Sequence, residues 1–198
     1  MSKKTLNLFR QANISIIFLS TLICLFYTIV YFTKHNYLMM VLSALVIFLP
    51  LLVYSLDKIV KKGVPDIIKT SFIIFIFVSA VLGGVANFYG NIPFYDKVVH
   101  FISGLLISWA FIIAFERFNK NYNITSLIFN LTCFNATVAV LWEFCEFTFD
   151  TIFHQSVQRG NTDTMTDMLV AIIGGALVSI IYINKKMRRW FFGKGSIY

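Results

Sequence analysis

Residues 142–150 read WEFCEFTFD and set Glu143, Glu146 and Asp150 at i, i+3 and i+7, one face of a helix. Two other stretches repeat the theme. In DKVVHFISG, Asp96 and His100 stand four apart and the row runs on through Gly104 to Ser108. In NTDTMTDMLVAIIGG, Asp163 and Asp167 are again four apart, followed by Ala171, Gly174 or Gly175, and Ser179. An imidazole nitrogen with several carboxylate oxygens is a donor set that suits zinc, manganese or iron. On these residues the metal set is His100, Glu143, Glu146 and Asp167, and the metal would activate water or polarise a phosphate. Glu143, Asp163 and Arg159 are the candidate catalytic residues: Glu143 supports the metal, Asp163 orients a ligand, and Arg159 holds a phosphate bidentately or pairs with Asp150 or Asp163. No HExxH pattern and no nucleophilic Ser or Cys motif accompanies them. Cys24, Cys133 and Cys145 lie in apolar stretches without CxxC spacing, which points to neither a disulfide framework nor a thiolate metal site.

The elements that carry these residues are dictated by composition. The 198-residue chain is 58% hydrophobic and 13% charged, against about 25% charged in soluble domains. Six apolar stretches, near 12–33, 38–56, 68–89, 97–116, 124–148 and 164–184, each approach the roughly 20 residues that cross a hydrocarbon core. They lack the alternation of barrel strands, so each must satisfy its backbone as a helix. The expected fold is all-α: a polytopic integral membrane protein, a bundle of six transmembrane helices with both termini cytoplasmic. The first stretch is too long for a signal peptide and lacks a small-residue cleavage pattern, so it reads as a retained helix. The chain divides into two N-terminal helices without a motif (1–66), a four-helix part with the polar cluster (67–184) and a basic aromatic cytoplasmic tail (185–198).

Charge distribution orients the bundle. With the N-terminus inside, fourteen of the seventeen Lys and Arg residues fall on the cytoplasmic side and only Lys34, Lys97 and Arg159 outside. The net charge of +8 therefore encodes topology, not nucleic-acid binding. In that orientation Asp96, Glu143, Glu146, Asp150, Asp163 and Asp167 all gather at the outer face. The third stretch adds Ser79, Gly83 and Asn87, giving an outward-facing polar cleft among helices 3 to 6. Glu143 lies some 30 Å along the fifth helix, at the outer edge of the hydrocarbon. Taken singly, Asp96 and Asp163 read as helix caps, and Thr164 to Asp167 has the form of a capping box. Glu143, Glu146 and Asp150 read as ending a helix, where carboxylates meet its negative pole and need compensation from a metal or from protons. Lys97, Arg159 and a charged His100 are the compensating cations within reach of the cluster.

The combination DKVVHF, WEFCEF and RGNTDTMTDMLVAIIGG resembles the YjdF-type bacterial inner-membrane proteins and, more distantly, the VanZ-like family. The resemblance covers roughly residues 80–180 and falls on Asp96, Lys97, His100, Glu143, Glu146, Asp163, Asp167 and Gly174. It implies a multi-pass protein of the bacterial plasma membrane and carries no agreed reaction. The expected function is binding of, or action on, an envelope lipid or lipid-linked phosphate, with membrane lipids as partners and a divalent metal as cofactor. Two other classes stand beside it. A proton- or cation-coupled carrier would place its site nearer the midplane and often show inverted repeats. A non-catalytic scaffold would use its acids only to hold helices and loops.

Overall fold

The computed structural model describes residues 3–59, 64–119 and 121–184. Among them all regular structure is helical, and six helical stretches are long and apolar enough to cross a membrane: Lys4–Thr33, Tyr37–Ser55, Asp66–Val85, Tyr95–Phe118, Ile124–Phe153 and Asn161–Ile183. Each matches one of the six apolar stretches read from the sequence. The tail 185–198 and the loop cations Lys61, Lys62 and Lys120 lie outside the described residues.

The chain forms two compact units, Met1–Asp96 and Lys97–Tyr198. In the first, α1 (Lys3–Thr33) packs against α2 (Tyr37–Val46) and α4 (Asp66–Ile76). The second span is split between α2 and α3 (Leu49–Ile59). Pro50 explains the break, since its ring clashes with the carbonyl four residues earlier, that of Val46. α4 continues as a π-helical run, Phe77–Val85, rich in small residues. Such runs are rare beyond a single turn, and this one is braced from outside. Tyr31 donates its hydroxyl to the Val85 carbonyl (2.8 Å), Tyr95 donates to that of Val78 (2.7 Å), and the Tyr89 ring lies where a side chain on Gly83 would stand. A short helix, α5 (Phe88–Asn91), follows.

The second unit comprises α6 (Tyr95–Phe118, whose first two residues precede the unit boundary), α7 (Ile124–Phe153) and α8 (Asn161–Ile183). Asn123 caps α7 by accepting from the Thr125 amide (2.9 Å). At 30 residues α7 is about 45 Å long, so it overruns the roughly 30 Å hydrocarbon layer. Near one end of the unit Ile112, Leu127, Leu131, Val178 and Tyr182 form an apolar core, and Tyr182 and Tyr122 both bond to Glu116. Toward the other end α6 and α8 pack almost backbone to backbone. A Cβ on Gly104 would collide with the Ala171 carbonyl, and one on Gly174 with that of Phe101. Small residues permit this approach in membranes, where close van der Waals contact drives helix association.

Candidate functional site

That close approach brings together three rows spaced by about one turn. His100, Gly104 and Ser108 on α6, Asp167, Ala171, Gly175 and Ser179 on α8, and Asn135, Ala139 and Glu143 on α7 are all buried. Asn135 ties two rows by donating its amide to the Ala171 carbonyl (3.0 Å). At the head of the rows lie the ionisable groups. His100 is 6% exposed, Glu143 4% and Asp167 1%.

Lys97 is the hub. Its ammonium donates to Oδ1 of Asp163 and to Oδ1 of Asp167 (2.7 Å), linking the first turn of α6 to the first two turns of α8. The same Asp167 oxygen stands 3.9 Å from His100 Nε2. Asp96, one turn before His100 on α6, completes a group with His100 and Asp167 whose donor atoms all lie within 4.8 Å of one another. Glu143 stands outside that group but interacts electrostatically with both His100 and Asp167. Thr164 and Gln158 approach its carboxylate, yet both Glu143 oxygens are buried without a hydrogen-bond partner. An isolated buried carboxylate costs several kcal/mol unless a cation or a proton neutralises it. Lys97 alone cannot neutralise Asp96, Glu143, Asp163 and Asp167.

The remaining residues singled out in the sequence are not part of that 4.8 Å group. Glu146 accepts from the Trp142 indole (2.7 Å) on an exposed stretch of α7 and is not part of the 4.8 Å group. Asp150 accepts the Val157 and Gln158 amides (both 2.8 Å), folding the loop between α7 and α8 back onto its helix. Arg159 is an exposed residue of that loop. Asn87 belongs to the first unit, where its left-handed backbone (φ 59°) turns the chain into α5 and its side chain lies over Gly90. Ser79, in the same unit, bonds to the Phe75 carbonyl within its own helix.

Two local readings are corrected. α8 begins at Asn161 after Gly160, with no side-chain cap, so Thr164 is already inside the helix and Asp163 and Asp167 serve Lys97 instead of a capping box. α7 runs ten residues past Glu143, to Phe153, so neither Glu143 nor Glu146 meets the helix pole. Burial, not the dipole, is the cost that Glu143 carries. Sequence reasoning counted Lys97 among nearby cations but missed that it bridges two acids. It also missed Gln158 and Thr164 beside Glu143; helical spacing could have flagged Thr164, while the loop residue Gln158 left no periodic signal.

The second unit can thus present one nitrogen and several oxygens, with the Lys97 ammonium among them. No solved structure matches the chain. An uncharacterized protein of Thermotoga maritima is 28% identical over 141 residues, which is 70% of this chain and 73% of that one. The profile of the family described as "Predicted membrane protein (DUF2238)" matches residues 14–188, nearly the whole chain and every residue of the site. This multi-pass membrane protein belongs to the DUF2238 family.

Proposed function

We propose that the cluster formed by the first turns of α6 and α8 with Glu143 from the later part of α7 is a divalent-metal site that binds or acts on a phosphate-bearing envelope lipid in a bacterial plasma membrane. The observation that carries this reading is Glu143, whose two buried oxygens lack a hydrogen-bond partner beside His100 and Asp167. His100, Asp167 and Asp96 would hold the ion, with Glu143 supplying the compensating charge. Zinc, manganese and iron all accept this mixed set. The metal would supply Lewis acidity toward a phosphoryl oxygen. Asp163 would keep Lys97 aimed at the ligand, and Arg159 would approach the phosphate from the loop. DUF2238 is the YjdF family, in line with the likeness read from DKVVHF and WEFCEF; the likeness to VanZ proteins rests on those sequence motifs alone and adds no reaction. The test is elemental analysis of the protein purified in detergent without chelator. About one divalent ion per chain is expected in the wild type, and at least a tenfold loss in Glu143→Gln and Asp167→Asn. A wild type without metal overturns the reading.

A scaffold reading has its own support in the Lys97 bridge between α6 and α8. It expects neutralisation of Asp167 to lower thermal stability and function in proportion. Function lost at unchanged stability would exclude it.

A further inference from the structure

We propose that Lys97 is a tethered cation that competes with the divalent metal for Asp167, so that an anionic ligand drawing Lys97 away admits the metal. The inference rests on the metal-site reading above. Its basis is a shared atom: Asp167 Oδ1 accepts from Lys97 Nζ at 2.7 Å and faces His100 Nε2 at 3.9 Å. A metal bridging that oxygen and that nitrogen would stand next to the ammonium, and two cations so close repel strongly in a buried setting. One of them must leave, and Lys97 has somewhere to go. It already bonds to Asp163 Oδ1, and the Asp163 carbonyl lies 3.5 Å away. Asp163 is one turn nearer the start of α8 and less buried than Asp167, with 18% side-chain exposure against 2%. A flexible four-carbon stem with three rotatable donors can shift between these anchors, which a guanidinium fork does less readily.

The device has a functional consequence. An ammonium resting on Asp163 alone keeps a donor for a phosphate oxygen, so phosphate and metal would favour each other's binding, and by equal factors. Lys97 is then a positioning residue that couples the two, and not a ligand of the metal.

The experiment is titration of the full-length protein in detergent with manganese(II), reading the free ion by electron paramagnetic resonance, for wild type, Lys97→Met and Lys97→Gln. Inorganic phosphate is then added to each. Removing the competitor is expected to tighten manganese binding about tenfold in both variants. Phosphate is expected to tighten it in the wild type and not in the variants. A merely structural Lys97 would give the opposite sign, because losing the bridge would loosen the site. Manganese bound by wild type and no more tightly by either variant overturns the competition and leaves the metal site standing. No manganese bound by any of the three overturns both. Lys97→Gln keeps most of the length and a hydrogen-bond donor, so it reports even if Lys97→Met does not fold.

Discussion

Glu143 is the residue whose environment conflicts most with its chemistry. A carboxylate 4% exposed with neither oxygen bonded is a liability to the fold, on the order of several kcal/mol if charged and uncompensated. Glu143→Gln keeps the shape and removes the charge. It is expected to raise the thermal stability of the chelator-treated protein by about 1–3 kcal/mol while abolishing stabilisation by added manganese. Paired melting curves with and without the ion check both signs. Asp150, seven residues on, has the contrary role. Its two oxygens each accept a loop amide, bonds worth about 1.5–3 kcal/mol where one partner is charged. Asp150→Ala is expected to open the loop 154–160 to proteolysis, seen as faster cleavage there with metal content unchanged.

At the scale of the element, the site depends on how closely α6 and α8 approach. Gly104 faces the Ala171 carbonyl, and Gly175 faces the Asn135 amide and the Ser108 hydroxyl, so each leaves no room for a side chain. Gly104→Leu is expected to pry the helices apart and cost about 1–3 kcal/mol or more of stability, as overpacking does, together with metal binding. Gly84 is the control. Nothing lies within 4 Å of a Cβ placed there, so Gly84→Ala is expected to leave the melting temperature unchanged or raise it slightly, by up to about 1 kcal/mol in stability. Equal losses in the two variants would mean that the close crossing does not position the site. The π-helical run shows the same dependence on neighbours: its widened turns rely on the hydroxyls of Tyr31 and Tyr95, residues of other elements.

For the whole molecule, the positive-inside asymmetry predicts that the start of α6 and of α8 faces the outer side. Accessibility to a membrane-impermeant maleimide tests this directly. In a background with Cys133 and Cys145, both exposed on α7, changed to Ser, Gln155→Cys in the α7 to α8 loop is expected to label in intact cells. Asn121→Cys, between α6 and α7, is expected to label only after permeabilisation. The reverse pattern would turn the molecule over and move the candidate site to the cytoplasmic side, away from the envelope lipids of the outer leaflet.

How far the chain could be read without its structure follows from which properties are local. Crossing a membrane is decided within windows of about 20 residues, because each helix must satisfy its own backbone in lipid, so all six spans and the all-α class were legible in composition alone. Periodicity likewise drew His100 and Glu143 onto polar faces of their helices, as it did Asp167. What it could not decide is which of several acids on one helix turns inward. Glu143 and Glu146 are three residues apart, yet one is buried without a partner and the other bonds an indole near the surface. That difference is set by neighbours remote in sequence. Lys97 meets Asp163 and Asp167 across 66 and 70 residues, and Gly104 meets Ala171 from another helix. The capping-box reading failed as well: Thr164 and Asp167 fit a local pattern, but α8 starts earlier, at Asn161, and the Asp167 carboxylate accepts from Lys97. Local chemistry determined the helices and their polar faces; only packing among α6, α7 and α8 decided which charges share one buried site, since the cost of burying a charge depends on what stands opposite it.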